Sequence, residues 1–586
     1  MDTAKEECIL RYELIGNNDV NNIIQTTLQN RGIDNWKEYL SLNAIDPDEY
    51  VGLDNINEAV ECLSAHVENG NEIGILFDTD TDGICSGTIM YKYIKNIAPE
   101  CKVHIIIHQR EKAHGLSSKD FELPENIRLL IIPDSSSNDI EECQELINTG
   151  IDIIIADHHH KSDERSNPAI LINNQTSDNY PNKAACGAHI TYDLCKALDE
   201  YYWNDYAEEL LDLVALADIA DVMDIKSFST RAAINVGLSN INNKMFKALL
   251  EAQEFSTKGI VSPFTIAFYI SPLINAFLRM ATFDERVLLA RAFCEDESET
   301  FWYTKRGEDF PTEENIYEHV VRLMKSYKSR QDRLKKKALP ELIKMAGKTD
   351  NKVAIIDATG TLDTALTGVV AIKVSEELNV PVLMLQRRGD DETEYGGSGR
   401  AFDNCPIEDF RALVDECPYT TYSQGHPGAF GISIPVENVN LVQQWLNEKL
   451  ADVSMEKVYS VDFEIDAEDL DVRMFQTLDY NKTLWGHGVN EPLFAIKGLH
   501  ITSDNARVCG KRQDTIQIYD DETDVKYVMF FCKENNELLQ WISNNWGDQE
   551  ADITIIGTLG LSLYEGKLDN QITIKDVRID KQYKIN

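Results

Sequence analysis

The chain has 586 residues, a formal net charge of -43 and a 43% apolar fraction. That is too long for one hydrophobic core, so roughly three or four domains are expected, and the acidity argues against a surface that attracts nucleic acid indiscriminately. No apolar run approaches the roughly 18 residues of a membrane span, and the start, MDTAKEEC, lacks the basic and apolar segments of a secretion signal, so a soluble, cytoplasmic protein without membrane association is expected. The twelve cysteines contain no C-x-x-C pair, which suits reduced core thiols better than disulfides or a zinc site.

In chain order, the first 70 residues read as helical and acidic. A βαβ pattern then begins. NEIGILF ends at Asp78, KVHIIIH follows, IRLLIIP ends at Asp134, IDIIIA ends at Asp157, and AILINN comes last, with helical stretches between most of them. Short continuous apolar strands separated by helices predict a parallel sheet covered on both faces, whose ligands bind beyond the carboxyl ends of the strands. The stretch FDTDTDG resembles the start of an EF-hand loop, but the twelfth position counted from Asp78 is Ile89 rather than the closing glutamate, and the loop follows a strand rather than a helix.

Asp78, Asp80 and Asp82 are therefore read as alternating along an extended segment and projecting to one side until Gly83 turns the chain. Asp134 and the DHHH run, Asp157 to His160, arrive from neighbouring strands. Carboxylates with imidazole suit manganese or magnesium, and two ions can be held if one carboxylate bridges them. The alternative for any one aspartate is a turn residue or helix N-cap.

Farther on, RLMKSYKSRQDRLKKK, from Arg322 to Lys337, carries eight basic residues and one acidic, a local charge of +7. It reads either as a solvated helix face or as a phosphate track ending in Lys335, Lys336 and Lys337. From about Ser454 the pattern changes to short alternating strands, LFAIKGLHI, DTIQIYD, KYVMFF, ADITIIGTL and NQITIKDVRI. About five such strands predict a small barrel, either a nucleic-acid groove or a brace for its neighbour.

These motifs, in this order, resemble the DHH phosphoesterases and, within them, the RecJ-type single-strand-specific exonucleases. FDTDTDG, PDSSSND, ADHHH and ALADIADVMD match the family's aspartate motifs and D-H-H signature. The resemblance gives metal roles to Asp80, Asp82, Asp134, His158 and Asp221, with Asp134 as the bridge and Asp78 in the same set. It places Asp157 behind the histidines and His159 at the scissile phosphate, and leaves His160 as a surface residue.

ISPLINAFLRM resembles the family's P-x-x-N-A-x-x-R segment, which puts Asn275 and Arg279 near the substrate backbone. YGGSGRAF and TTYSQGHPGAFGISI resemble motifs of the accessory DHHA1 domain. They imply substrate roles for Ser398, Arg400 and His426, with Arg110 joining Ser398 and Arg400 on a 5′ phosphate. Gln424 and Thr230 depart from the family pattern, and neither is an implied ligand. LWGHGVNEPLFAI resembles the lead-in to the family's OB-fold.

The implied architecture is α/β: a helical extension over 1–70, a parallel-sheet DHH domain over 71–240, helices ending in a long basic connecting helix over 241–348, an α/β DHHA1 domain over 349–453 and a C-terminal OB-fold barrel over 454–586. The basic helix would form one wall of the DNA channel. The implied activity is 5′-to-3′ hydrolysis of single-stranded DNA to mononucleotides in repair or recombination, by a monomer using two manganese or magnesium ions. A single-stranded-DNA-binding protein or a helicase is the implied partner. Two alternatives stand beside it. A phosphodiesterase for short oligonucleotides or cyclic dinucleotides suits the acidity but not the basic helix and barrel, and a silent replication scaffold does not suit the intact carboxylates and histidines.

Overall fold

The computed structural model describes residues 10–109, 113–162, 165–347, 351–388, 391–534, 536–544, 549–564 and 566–584. It divides into two units, one of residues 37–334 with 483–489, the other of 1–36, 335–482 and 490–586. The division falls inside the longest helix, Ile316–Ala346.

The first unit is built on five parallel strands in the spatial order Val103–Ile107, Glu72–Phe77, Ile127–Pro133, Asp152–Asp157 and Ile170–Asn173. Away from their ends they are near-continuous apolar runs because both faces are covered, with His104 on the edge strand and the exposed Arg128 as polar exceptions. Leu76, Ile106, Leu130, Ile132, Ile153 and Ile155 share one apolar cluster with Leu116 and Cys143. On the other side lie the helices Thr81–Ile97, Gly187–Tyr202 and Leu211–Ala220, which pack on one another. In-register pairing, Phe77 with Ile107 and Pro133 with Ala156, brings the carboxyl ends of the strands to one edge.

In the second unit, the opening of the chain departs from the helical expectation. Arg11–Leu14 is a strand paired in parallel with Val458–Val461, and Arg31 grips the buried Asp462 with two nitrogens at 2.6 and 3.0 Å. RYEL has no helical period of its own, and a partner more than four hundred residues away supplies its hydrogen bonds. A five-stranded mixed sheet runs in the order Tyr422–His426, Ala429–Pro435, Asp391–Arg400, Val382–Arg388, Ala354–Asp357. A separate seven-stranded sheet runs Phe463–Asp466, Phe494–Ile501, Gln549–Tyr564, Lys567–Lys584, Val525–Met529, Thr515–Asp520, Ala506–Cys509. Phe463–Asp466 and Ala506–Cys509 escaped the sequence pattern because they are only four residues each.

Candidate metal centre

The strand Glu72–Phe77 ends before Asp78, and the helix Thr81–Ile97 begins with Asp80 as its N-cap. The three aspartates therefore do not alternate along an extended segment. They wrap a strand-to-helix turn, because the Asp80 carboxylate accepts from the Gly83 amide at 2.9 Å and starts the helix there. Gly83 does not turn the chain by a positive φ. A Cβ at this position would lie 2.5 Å from the Asp78 Cβ, so glycine lets the first helical turn close over Asp78.

Asp82, buried in that turn, is anchored from across the fold. Its two oxygens accept from the amides of Gly187 at 2.7 Å and Ala188 at 2.8 Å. The positive end of the helix Gly187–Tyr202 thus faces a carboxylate. Asp134 follows the strand Ile127–Pro133 in a left-handed conformation, φ 64°. Gly187 is again the reason it fits, since a Cβ there would lie 2.5 Å from the Asp134 Cβ. Asp221 caps the helix Leu211–Ala220, and the next residue, Val222, is held at φ 60°. That is a costly geometry for a β-branched side chain, and it ends the helix at the centre.

These residues converge on His158. Its Nε2 lies 3.2 Å from Asp134 Oδ1, 3.6 Å from Asp221 Oδ2 and 3.7 Å from Asp82 Oδ2. Asp78, Asp80 and Asp134 form one group whose oxygens lie within 4.8 Å of one another, and Asp82, His158 and Asp221 form a second. Asp78 Oδ1, Asp134 Oδ1 and Asp221 Oδ2 are buried and accept no hydrogen bond from the described residues. Burial, then the Asp82, Asp80 and Asp78 carboxylates, pushes the pKa of Asp134 well above the usual range, and burial with Asp82 and Asp80 does the same to Asp221. Enclosure at the turn, then Asp78 and Asp82, raises Asp80 to about 6. Buried oxygens without donors and carboxylates that cannot all ionise are what a divalent cation would satisfy, and an oxygen-rich set with one imidazole fits manganese or magnesium.

Asp157 is spent differently. Its oxygens accept from the amides of His158 at 2.7 Å, His159 at 3.2 Å and Ser137 at 3.1 Å, and from His159 Nδ1 at 2.8 Å. Burial alone would raise its pKa, but His159 and these donors hold it far below the usual carboxylate range. The Asp157 charge in turn outweighs burial and raises His159 to about 9. The His159 ring is half exposed and stands 4.5 Å from the His158 ring. His160 is exposed.

Three histidines here escaped sequence reasoning. His114 donates to Asp78 at 2.6 Å and is raised to about 10, chiefly by that carboxylate; its ring also stands 4.9 Å from the His159 ring. His108, fully buried, lies 3.9 Å from Asp78. His189 reaches Asp218 at 3.1 Å, tying the helix that holds Asp82 to the helix that ends in Asp221. The only trace of these contacts in the sequence is the two histidines of HQREKAHGL, His108 and His114, and an aspartate one turn before Asp221, and none of them follows a spacing rule.

Among the proposed substrate residues, Asn275 Oδ1 accepts from Thr81 Oγ1 at 2.9 Å, beside the aspartate turn. Arg279 caps the same helix, Ser271–Leu278, and its charge interacts with Asp80. Ser398 and Arg400 both border Gly368 at the start of the helix Thr367–Leu378. A Cβ on Gly368 would lie 2.4 Å from Arg400 Nη2 and 3.4 Å from Ser398 Oγ, so glycine lets the Arg400 guanidinium pack against the first turn of that helix. His426 and Gln424 are exposed on the strand Tyr422–His426, and Thr230 is buried and donates to the Ala184 carbonyl at 2.7 Å. Lys336 and Lys337 are exposed on the long helix and Lys335 is half-buried, while Arg322 is already taken by Glu314 at 2.8 Å. Arg110 lies outside the described residues.

A parallel sheet that gathers aspartates, a D-H-H turn and a helix-capping aspartate at its carboxyl edge defines a DHH-type phosphoesterase. A family model described as DHH family, N-terminal domain, matches residues 72–217, and one described as RecJ OB domain matches 461–576. A prophage-derived protein of Bacillus subtilis, YorK, named as a single-strand DNA-specific exonuclease, is 36% identical over 97% of this chain and 98% of its own length. The Bacillus subtilis single-stranded-DNA-specific exonuclease RecJ is 23% identical over 95% of this chain and 68% of its own. The crystal structure of RecJ from Thermus thermophilus in complex with Mn2+ superposes with a TM-score of 0.72 at 18% identity, covering 94% of this chain and 75% of that one. The chain belongs to the RecJ-type single-stranded-DNA-specific exonucleases of the DHH family, and it is an enzyme. No helix among the described residues is long and apolar enough to cross a membrane.

Proposed function

We propose that the chain hydrolyses single-stranded DNA from its 5′ end, releasing mononucleotides, as a monomer in DNA repair or recombination, where a helicase or a single-stranded-DNA-binding protein presents the strand. The observation that carries this reading is the pair of donor groups, Asp78 with Asp80 and Asp134, and Asp82 with His158 and Asp221, brought together at one strand edge. Two ions would be held there by the donors of these two groups. The solved RecJ structures with manganese and magnesium support that choice of ion. When bound, such ions polarise a phosphoryl group and lower the pKa of the attacking water.

The protein's own residues do the rest. Asp157 fixes the His159 ring and keeps it charged, so that it neutralises an oxygen of the scissile phosphate at the open side of the centre. Asn275 and Arg279 hold the adjoining backbone. Ser398, Arg400 and the positive end of the helix Thr367–Leu378 suit a terminal phosphate, with Arg110 as the third contact implied by resemblance. The exposed Lys336 and Lys337 suit the phosphates of a bound strand, and the exposed His426 is a further candidate contact for it.

The net charge of -43 favours a second reading, a phosphodiesterase for short oligonucleotides. Digestion of 5′-labelled and 3′-labelled single strands, duplex and dinucleotide separates the two. The expected result is manganese-dependent release of the 5′ label first, as a mononucleotide, with loss of all activity on chelation and in Asp134→Ala or His158→Ala proteins that remain folded. First release of the 3′ label would overturn the direction, and cleavage of the dinucleotide alone would establish the second reading.

A further inference from the structure

A second set of ligating side chains lies in the same unit, away from the catalytic edge. Cys62 and His66 are four residues apart on the helix Ile56–Glu68, so they share one face. Asp152 opens the strand Asp152–Asp157, whose other end carries the catalytic Asp157. At about 3.3 Å per residue the two ends are roughly 17 Å apart. One ligand atom each from Cys62, His66 and Asp152 lies within 4.8 Å of the other two.

The ring of His66 is already oriented. Nε2 meets Asp152 Oδ2 at 3.0 Å, and Nδ1 meets the Asn71 side-chain amide at 3.0 Å. Rotating that amide to present its oxygen would hold Nδ1 as the N–H and free Nε2 as a donor atom. His66 is buried, Cys62 half-buried and Asp152 exposed. The Cys62 thiol makes no hydrogen bond among the described residues, and it faces two carboxylates, Asp152 and, one turn back on its own helix, Glu58. Burial first, then those two charges, pushes the thiol up to about 11. It keeps its proton unless a cation takes the proton's place.

We propose that Cys62, His66 and Asp152 form a metal site of the zinc class, separate from the catalytic centre, that pins the helix Ile56–Glu68 to the amino end of the strand Asp152–Asp157. One thiolate, one imidazole and one carboxylate are the donors of a tetrahedral zinc-type ion, whereas the catalytic edge offers almost only oxygen. These three residues would supply three of the four donors of such an ion. A C-x-x-C search misses the site because its cysteine is paired with a histidine one helical turn on and with a residue eighty-six positions beyond that histidine.

The test uses the full chain stripped with a chelator and refilled with Zn2+ or Co2+ alone. Zn2+ should slow alkylation of Cys62, read by mass spectrometry on the wild-type protein, by about ten-fold or more, because a metal-bound thiolate is withdrawn from reaction. One equivalent of Co2+ should give a thiolate charge-transfer band that persists in Asp134→Ala and disappears in Cys62→Ser and His66→Gln. Manganese-dependent DNA hydrolysis by Cys62→Ser should stay near wild type. Unchanged alkylation of Cys62 in the presence of Zn2+, or a cobalt–thiolate band that survives Cys62→Ser, would overturn the proposal. The alkylation arm needs no variant, so poor folding of a mutant leaves it decisive.

Discussion

Replacing Gly187 by alanine tests whether the catalytic centre is held by close backbone approach. Gly187 is the first residue of its helix, where alanine is at least as good a helix former as glycine, so the change should cost little folding free energy by propensity. Sterically it is severe. The new Cβ would stand 2.5 Å from the Asp134 Cβ and 2.6 Å from Asp134 Oδ1, where ordinary contact begins at 3.4 Å. The helix start and the Asp134 turn must therefore separate by about 1 Å, and neither can yield freely, since the Gly187 amide is itself bonded to Asp82 at 2.7 Å. A displacement of about 1 Å in a reacting geometry costs on the order of a hundred-fold in rate, equivalent to about 2.7 kcal/mol in the barrier. Steady-state digestion of a labelled single strand across a manganese titration, beside a thermal melt, measures both sides. The expected outcome is a fall in kcat of about a hundred-fold with a raised metal requirement, beside a lowered Tm from overpacking that costs about 1–3 kcal/mol. Wild-type kcat and metal dependence in a folded Gly187→Ala protein would refute the claim that Gly187 sets the spacing of Asp82 and Asp134.

With metal removed by a chelator, Tm should fall as pH rises from about 4 to about 6. The folded Asp80 titrates near 6 against about 3.9 for an unfolded aspartate, so the folded state binds more protons across that window and loses their stabilisation as they leave. The rise in Tm on adding manganese should grow over the same window, and a flat metal-free profile would contradict it. Arg400→Ala should erase most of the preference for 5′-phosphorylated over 5′-hydroxyl strands, read as a ratio of kcat/KM, because a charge-assisted contact exists only with the phosphate. Reversing Lys335, Lys336 and Lys337 to glutamate should leave dinucleotide cleavage near wild type, weaken binding of long strands and flatten its salt dependence by about 0.7 per lost phosphate contact. Equal binding across a salt series would make the helix a solvated connector.

The sheet and the edge where the chemistry sits are legible in the amino-acid sequence alone. The four or five residues before Asp78, Asp134 and Asp157 are apolar because both faces of a parallel sheet exclude water, and that constraint is written in neighbouring residues. The family likewise follows from the ordered motifs, from FDTDTDG to TTYSQGHPGAF. Local period alone misjudged the aspartate turn. Three aspartates at alternate positions read as one face of a strand, but N-capping by Asp80 converts that spacing into a helix start.

Which groups meet across long separations is set by the folded chain. Gly187 and Ala188 hold Asp82 from more than a hundred residues away, and His114 clamps Asp78 from a loop. His189 joins Asp218 across two buried helices, and Arg11–Leu14 is a strand because Val458–Val461 lies beside it. The physical reason is common to all of them. Each contact satisfies a buried polar group or an unpaired strand edge, a requirement that exists only once the fold has removed water, and so nothing in the flanking sequence needs to announce it.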